Sequence, residues 1–426
     1  MSVHYLYFSD IIQMHAEKLP PQTFHRVRPP SRVAKKRPIK IRRRVKTKST
    51  KLTLSQLKYK NILILVAILM TASWVITLPF RGRTASPTAQ PSPQTPISPT
   101  LVPPYVRPVP QQTPEDLGFA YNVRRQPPLR YNPQLQEIVD ELVKISEEKG
   151  LPTEPLSISL IDVSNQDIHT FAGYQSQEVR YPASVSKLFW MAAFYGAVKK
   201  GLVEDESKFN EDLRAMMQKS HNDSASKILD AITDTKSGKT LEGKELEKWL
   251  EKRKSVNDFF HKAGYKNLIV STKNYPRYSP SQEGPVGRDR QLRKKDGKFL
   301  RNLISTDQAA RLIYEIYTRQ AVSRKYSTRM AYLLTRDLRP EAWQNDPYNG
   351  IKGFIGESLP AKIYFGSKVG FTTKHRMDVA FVRTLDDKAI YILAIFAEDP
   401  AYARDEKIFP KLSRHVYDRM MVLNSQ

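Results

Sequence analysis

The stretch Arg180–Val198, RYPASVSKLFWMAAFYGAV, places a serine and a lysine three residues apart at the start of a long apolar run. Pro182 favours an extended residue before it, and the residues that follow have helical character, so Ser184 is expected where an extended segment turns into a helix. Lys187 then lies one turn later on the same helix face. The sequence therefore predicts a hydroxyl and an amine side by side at the mouth of a buried helix.

This pairing has a chemical use, because a serine hydroxyl is a poor nucleophile until a base takes its proton. A lysine can be that base when burial and neighbouring positive charge favour its neutral form. The helix start also offers backbone N–H groups to negative charge that develops on a substrate. The spacing alone is weak evidence, since Ser55, Ser146 and Ser224 are also followed by a lysine three residues later.

Composition limits the other chemistry. The 426 residues are 40% hydrophobic, contain no cysteine and carry a formal charge of +26. The chain can bury a sizeable core, but disulfides, thiol catalysis and cysteine-bound zinc are excluded. The eight histidines include no pair at the spacing of a helical metal site. The sequence therefore predicts an enzyme without a metal or another cofactor.

The first sixty residues carry about half of the basic surplus and precede Asn61–Phe80, NILILVAILMTASWVITLPF, a run of twenty uncharged residues. A run of this length can cross a bilayer as a helix, and basic residues beside a span stay on the cytoplasmic side. We therefore expect a cytoplasmic tail over 1–60, one transmembrane helix over 61–80 and a catalytic domain that is periplasmic or otherwise extracytoplasmic. One alternative is that the basic residues form a nucleic-acid-binding arm. The other is a cleaved signal peptide, but the charged and apolar parts of such signals are normally shorter. We predict membrane contact and no nucleic-acid partner.

Residues 81–130 are dense in proline, which favours an extended, semi-rigid linker. From residue 131 to 426 the pattern is globular, with strand-like segments near both ends and helical segments between them, so we expect an α/β (α+β) domain with an antiparallel sheet flanked by helices and a mostly helical subdomain. The expected elements are a helix between Asn132 and Gly150, strands at 156–164, 167–174, 361–370, 377–385 and 389–398, helices at 211–220, 225–233 and 305–318, and a closing helix at 403–421.

Two further motifs follow the first. Ser220 and Asn222 lie in MMQKSHNDSASKIL at a break between helical patterns, and Lys368 and Gly370 lie in FGSKVGFTTKHRMDVAFV on an expected strand. With these motifs the chain resembles the serine β-lactamase and penicillin-binding superfamily, most closely its class A β-lactamase-like members, in which Ser-x-x-Lys, Ser-x-Asn and Lys-Thr/Ser-Gly occur in this order. The resemblance extends from Tyr131 to Val422 and implies the three-layer fold of that family.

The resemblance implies a role for each matching residue. Ser184 corresponds to the acylated nucleophile and Lys187 to the group that accepts or relays its proton. Ser220 corresponds to the residue that passes a proton to the leaving nitrogen, and Asn222 to a donor to the substrate amide. Lys368 corresponds to the basic residue that holds the substrate carboxylate and tunes the neighbouring serine.

The resemblance also implies an oxyanion hole formed by the backbone N–H groups of the nucleophile and of Phe371. Gly370 is needed there because it lets the strand approach closely. Val369 stands where the family has a hydroxyl residue, so Thr372 or Thr373 is the expected substitute for binding the substrate carboxylate.

Other departures leave alternatives open. His221 replaces the usual aspartate and Asp223 follows it, which permits either a Ser-His-Asp arrangement or a loop histidine without a catalytic role. The letters of the third motif also occur in TKSG, at Lys236–Gly238, but that segment follows Ser220 closely among polar residues and precedes no strand. It is not expected at a sheet edge.

The family hydrolyses its acyl-enzyme with a glutamate within Glu-x-x-Leu-Asn, and residues 266–302 lack that motif. Glu283 is the only glutamate there, so it is the candidate for activating water, against the alternative of a solvated loop carboxylate. An enzyme that lacks this group would acylate and stall, as a penicillin-binding protein does.

The sequence therefore predicts a membrane-anchored extracytoplasmic serine hydrolase that opens a β-lactam through an ester at Ser184, which is β-lactamase activity. The expected partners are a β-lactam or a substrate derived from peptidoglycan. The alternatives are a D-alanyl-D-alanine peptidase of the penicillin-binding type and a non-catalytic module that binds the cell envelope.

Overall fold

The structure, a computed structural model, describes residues 101–107, 119, 121, 125–295 and 298–425. The basic tail and the apolar segment 61–80 lie outside these residues. Within the described ranges, none of the helices combines the length and the apolar character that a membrane crossing requires.

Strands from both ends of the domain form one six-stranded sheet in the order β1-β3-β2-β10-β9-β8. Its strands are β1 (Arg130–Tyr131), β2 (Leu156–Asp162), β3 (Thr170–Tyr174), β8 (Tyr364–Thr372), β9 (His375–Arg383) and β10 (Ile390–Ala397). All neighbours pair antiparallel except β1 and β3. The predicted sheet is confirmed: β2 pairs with β10, from Asp162 opposite Tyr391 to Leu156 opposite Ala397.

Helices cover the sheet and form a separate helical part. They are α1 (Pro133–Glu148), α2 (Ser186–Lys199), α3 (Asn210–Gln218), α4 (Asn222–Thr233), α5 (Gly243–Lys262), α6 (Gly287–Arg293), α7 (Thr306–Tyr317), α8 (Arg324–Leu334), α9 (Pro340–Trp343), α10 (Pro400–Arg404) and α11 (Ile408–Leu423). Two small hairpins lie on the connections, β4 (Arg277–Tyr278) with β5 (Ser281–Gln282) and β6 (Lys294–Lys295) with β7 (Lys298–Phe299).

The sheet separates two hydrophobic cores because side chains alternate between its faces. On β10, Tyr391, Leu393 and Ile395 belong to one core, which α1 and α11 complete. The alternate residues Ile392, Ala394 and Phe396 belong to the other core, which contains helices of the central part of the chain. The predicted mixed α/β fold with a helix-flanked sheet is therefore confirmed.

Helix α2 lies inside the helical part and is buried on every side from Ser186 to Ala197. A helix that is apolar all round is stable only when other elements surround it. Here α3, α4, α5, α7 and α8 supply residues to the same core. The stretch that opened the sequence analysis therefore forms the centre of this core.

The predicted closing helix is two helices, and that prediction is corrected. Asp405 accepts hydrogen bonds from the backbone N–H groups of Lys407 and Ile408 at 2.8 and 3.1 Å. A carboxylate that caps free N–H groups favours a new helix start over continuation of the old helix. Consequently α10 ends at Arg404 and α11 begins at Ile408.

Part of the predicted linker lies on the domain. The backbone N–H of Val106 donates to the carbonyl oxygen of Tyr317 at 3.1 Å, and Arg319 donates to the carbonyl oxygens of Pro103 and Pro104 at 3.1 and 2.8 Å. Tyr121 is buried at 3% exposure. Proline cannot donate a backbone hydrogen bond, but its carbonyl still accepts one, which suits a proline-rich segment to this contact.

Candidate active site

Ser184 lies in a single turn, Ala183–Val185, that leads into α2. Ala183 has a φ of +46°, where the β-carbon of an L-residue is crowded at a cost of about 1 to 2 kcal/mol. Neighbouring groups fix this turn: the Asn274 side-chain amide donates to the carbonyl oxygen of Ala183 at 3.2 Å and to the hydroxyl of Ser186 at 3.1 Å. The nucleophile candidate is therefore held at a defined bend.

Lys187 is the centre of the site. Its Nζ lies 2.8 Å from Ser184 Oγ, 2.5 Å from the carbonyl oxygen of Ser220 and 2.7 Å from Asn222 Oδ1. The carbonyl oxygen of Ser220 can only accept a hydrogen bond. The same holds for Asn222 Oδ1, because the amide nitrogen of Asn222 donates elsewhere, to the carbonyl oxygen of Pro276 at 2.7 Å. A neutral amine uses its two N–H groups for these oxygens and keeps its lone pair for the hydroxyl of Ser184.

Burial favours that neutral form. The side chain of Lys187 is fully buried, and burial lowers the pKa of its amine from 10.5 to about 7. An uncharged amine near neutral pH can accept a proton, whereas an ordinary surface lysine cannot. The apolar run after Lys187 is buried on every side in α2 and thus supplies the burial that a neutral lysine requires.

The hydroxyl of Ser220 lies between two amines. Lys368 Nζ donates to Ser220 Oγ at 2.8 Å, and Lys187 Nζ lies 3.3 Å from the same oxygen. Ser220 has a φ of +56°, so the bend before α4 also aims this side chain. The structure therefore brings Ser184, Lys187, Ser220, Asn222 and Lys368 into one continuous hydrogen-bonded group.

Lys368 lies beside two ionisable groups, Arg336 and Asp378, that the sequence analysis missed. Burial, followed by repulsion from Lys187 and Arg336, lowers the pKa of the Lys368 amine well below its ordinary value, and Asp378 opposes this. Burial raises the pKa of the Asp378 carboxyl to about 7. An acidic residue within the apolar strand sequence MDVAFV was the available signal for Asp378, whereas Arg336 reaches the strands through tertiary contacts that no local pattern reveals.

Gly370 lies against the nucleophile turn, as expected. A β-carbon at this position would come within 2.5 Å of the carbonyl oxygen of Pro182 and 3.0 Å of the backbone nitrogen of Ser184. Only glycine allows this approach without a backbone shift. The next residue, Phe371, turns to the other face, where the Arg376 guanidinium lies 5.1 Å above its ring. The oxyanion-hole role of the two backbone N–H groups stays a prediction.

The hydroxyl of Thr372 belongs to the β8–β9 turn. It lies 2.6 Å from His375 Nδ1 and accepts from the backbone N–H of Lys374 at 3.1 Å, while His375 Nε2 lies 3.1 Å from Glu398 Oε1. The predicted contact of Thr372 with a substrate carboxylate therefore stays a prediction. Val369 has no hydroxyl, and its side chain lies in the core that α1 and α11 complete. This position therefore supplies no hydrogen-bond donor to the site.

Asp223 organises the loop that covers the start of α4. Its carboxylate accepts from the backbone N–H groups of Tyr278 and Ser279 at 2.9 and 3.1 Å and pairs with Arg277 Nε at 3.1 Å. The sequence analysis noted Asp223 only as a departure from the family pattern. Its role is to hold the loop that carries the Pro276 carbonyl, the acceptor for Asn222.

Glu283 does not join the group. It is exposed and follows the short strand β5, and in the described part of the chain it has no hydrogen bond to Ser184, Lys187 or Ser220. The loop residue that reaches the nucleophile turn is Asn274, a buried amide. The structure therefore does not bring the expected loop carboxylate to the nucleophile.

His221 and the TKSG segment make structural contacts of their own. The Nδ1 atom of His221 accepts from the backbone N–H of Ser224 at 3.3 Å and so caps α4, and its ring stacks on Tyr278 with centroids 6.1 Å apart. The hydroxyl of Ser237 accepts from Lys273 at 2.7 Å in a loop away from the sheet. In the ranges that the structure describes, no three histidine or carboxylate residues cluster so that they could hold a metal ion.

A family model and several solved structures are similar to this chain. None of the curated proteins matches the chain. Similar solved structures include a β-lactamase from Sphaerobacter thermophilus (18% identity, 67% of this chain and 98% of that chain, TM-score 0.44), PBP-A (15%, 69% and 98%, 0.44) and a β-lactamase from Streptosporangium roseum (15%, 66% and 97%, 0.44). The beta-lactamase enzyme family matches over residues 135–420. The chain therefore belongs to the beta-lactamase enzyme family.

Proposed function

We propose that the protein is a serine hydrolase that forms an ester between Ser184 and the acyl group of a β-lactam or a related D-alanyl amide. The observation that carries this proposal is the 2.8 Å contact between Lys187 Nζ and Ser184 Oγ, with both amine N–H groups directed at carbonyl oxygens. Membership of the beta-lactamase enzyme family supports the same reaction class.

In the acylation step, Ser184 Oγ attacks the amide carbon and its proton passes to Lys187. The C–N bond breaks when the Ser220 hydroxyl gives its proton to the leaving nitrogen, and the proton on Lys187 replaces it. The net change is one ester formed and one C–N bond broken, with no co-reactant: a D-alanyl amide releases its nitrogen as a free amine, whereas an opened β-lactam keeps its nitrogen attached. A substrate carboxylate beside Lys368 favours the charged ammonium there, which strengthens binding.

The second step, hydrolysis of the ester by water, is proposed to be slow. A water that attacks the ester needs a base within hydrogen-bond reach. Glu283 is exposed and Asn274, the loop residue at the nucleophile turn, carries an amide that cannot accept a proton at neutral pH. We therefore place the protein nearer to the penicillin-binding peptidases than to efficient β-lactamases. A substrate derived from peptidoglycan fits this assignment.

A labelling experiment tests the proposal. Full-length protein is incubated with a fluorescent penicillin, and a chromogenic cephalosporin is followed in parallel. We expect covalent label on the wild type and on Ser281→Ala, an exposed serine outside the group, and none on Ser184→Ala. The cephalosporin should show a burst of about one equivalent followed by slow turnover. Label on Ser184→Ala, or none on folded wild type, would reject the proposal.

We also propose that Asn61–Phe80 anchors the enzyme in the cell membrane with the catalytic domain outside the cytoplasm. The support is the length and lack of charge of this segment and the basic residues before it. An enzyme acting on cell-wall material would need this location.

A further inference from the structure

Two strongly exposed tyrosines lie beside the connection between α3 and α4, which carries Ser220. Tyr278 is 62% exposed and Tyr348 is 56% exposed. A tyrosine ring offers a large, rigid apolar face, and exposed apolar groups that lie together mark interaction sites. No step of the proposed reaction uses either ring.

Tyr278 is fixed against this connection. Its ring stacks on His221 with centroids 6.1 Å apart and ring planes inclined by 14°, and its backbone N–H donates to Asp223 Oδ2 at 2.9 Å. His221 lies between Ser220 and Asn222 in the chain. One face of the Tyr278 ring is therefore covered next to the catalytic group, and the opposite face is open to solvent.

Tyr348 is fixed to the same connection from another element. Its backbone N–H donates to Asp346 Oδ1 at 3.0 Å, and Asp346 pairs with Lys219, the residue before Ser220. Partial burial, and after it the neighbouring Tyr348, raises the pKa of the Tyr278 hydroxyl, so the two tyrosines lie close together. Both are held by backbone hydrogen bonds before any ligand arrives, which lowers the entropic cost of binding.

The charges near the two rings limit the chemistry of a ligand. The carboxylates of Asp223 and Glu283 also interact with the Tyr278 hydroxyl, and Glu283 is exposed and forms no ion pair within the described ranges. Negative charge at this place repels an anionic ligand such as a phosphate polymer. Carboxylate oxygens accept hydrogen bonds from hydroxyl groups. A pyranose ring fits these groups, because it has C–H groups on its faces and hydroxyl groups around its edge.

We infer that Tyr278, Tyr348 and Glu283 form a binding site for a pyranose ring of an uncharged glycan. The sugar lies against the open face of Tyr278, Tyr348 borders it, and Glu283 accepts hydrogen bonds from its hydroxyl groups. The inference goes beyond the proposed function and does not depend on acylation of Ser184. For an enzyme that acts on peptidoglycan, such a site would hold the glycan strand while the attached peptide reaches the catalytic group.

Calorimetric titration of full-length protein with a β-1,4-linked tetramer of N-acetylglucosamine tests the inference, in a detergent without a sugar headgroup. An uncharged sugar is needed because the formal charge of +26 would attract anionic polymers without a specific site. We expect a dissociation constant of about 1 mM or lower, with little change when the salt concentration is raised. Ser184→Ala should bind the sugar as the wild type does.

Variants locate the contact. Tyr278→Ala and Tyr348→Ala should each weaken binding at least about tenfold, while Tyr278→Phe, which keeps the ring, should stay within about threefold of wild type. Tyr332→Ala is the matched control, because Tyr332 is 47% exposed on α8 and lies near Arg319; it should bind as the wild type does. An unchanged thermal unfolding temperature shows that each variant is folded.

Absence of sugar binding by folded wild type would overturn the inference, as would undiminished binding by Tyr278→Ala and Tyr348→Ala. Equal loss of binding in Tyr332→Ala, or binding that high salt abolishes, would overturn it as well. Failure of penicillin to label a protein that binds the sugar would reject the proposed function and leave this inference standing.

Discussion

At the residue scale, the account depends on the protonation state of one buried amine. Lys187 has two carbonyl acceptors and one hydroxyl within 2.5–2.8 Å, so it can donate twice and still accept from Ser184 when it is neutral. In the protonated state all three contacts are donations, and the hydroxyl proton has no acceptor at this amine. The reaction therefore requires the neutral form.

This requirement sets the pH dependence of acylation. The pKa of Lys187 is lowered to about 7, so the neutral fraction is small below that pH and nearly complete well above it. The second-order rate of penicillin labelling should rise through about pH 7 and level off near pH 8. Lys187→Arg, which stays charged, should label about 10² to 10⁴ times more slowly than wild type at pH 8, where the wild-type amine is neutral, and the difference should shrink below pH 7. A wild-type rate that falls with rising pH over this range would contradict the assignment.

The local contacts of the site could be predicted from the sequence, whereas the contacts between distant residues could not. The spacing of Ser184 and Lys187 on a buried helix was sufficient to predict their contact, because the geometry is local. The contacts of Ser220 with Lys368 join residues far apart in the chain, and only the family resemblance pointed to them. The position of Glu283 was not predictable, because a loop without periodicity gives no information on its path.

At the element scale, the approach of β8 to the nucleophile turn is the critical packing contact. The short runs rich in apolar residues predicted β8, β9 and β10 well, because both faces of these strands are buried and the apolar character is therefore nearly continuous along each strand. The break between α10 and α11 was missed, because the cap at Asp405 depends on a local hydrogen bond that competes with helix continuation. Neither the apolar pattern of the strands nor the capping of the helices predicts how near β8 comes to Ser184.

Gly370→Ala tests this contact. The new β-carbon would lie 2.5 Å from the Pro182 carbonyl oxygen, so the strand or the turn must shift and the two predicted oxyanion donors would separate. We expect penicillin labelling to slow at least tenfold, which corresponds to about 1.4 kcal/mol, in protein that still folds. Gly284→Ala is the matched control, because its β-carbon meets nothing within 4 Å. Unchanged labelling of Gly370→Ala would exclude an oxyanion hole at this place.

At the scale of the whole molecule, the described parts of the proline-rich segment pack on the globular domain. Tyr121 buries its hydroxyl beside Glu315, which also accepts from Tyr265 Oη and Arg311 Nε, both at 2.7 Å. The composition of residues 81–130 predicted an extended segment, but isolated aromatic residues within it gave no indication that part of it packs on the domain. The described residues of this segment therefore contribute to the stability of the globular domain.

Tyr121→Phe measures this contribution. The change removes one hydrogen bond to a buried carboxylate and should lower the free energy of unfolding by about 1 to 3 kcal/mol, as measured by denaturant unfolding. Tyr105→Phe is the control, because Tyr105 is 51% exposed and should change stability little. Equal stability of both variants would show that the hydrogen bond from Tyr121 to Glu315 does not stabilise the fold.

The most direct test of the central claim is the intact mass of full-length protein after incubation with benzylpenicillin. Acylation without a departing group predicts a single adduct of the full mass of the antibiotic, located by peptide mapping on Ser184 and lost only slowly. No adduct on folded protein, or an adduct on any other residue, would contradict the account.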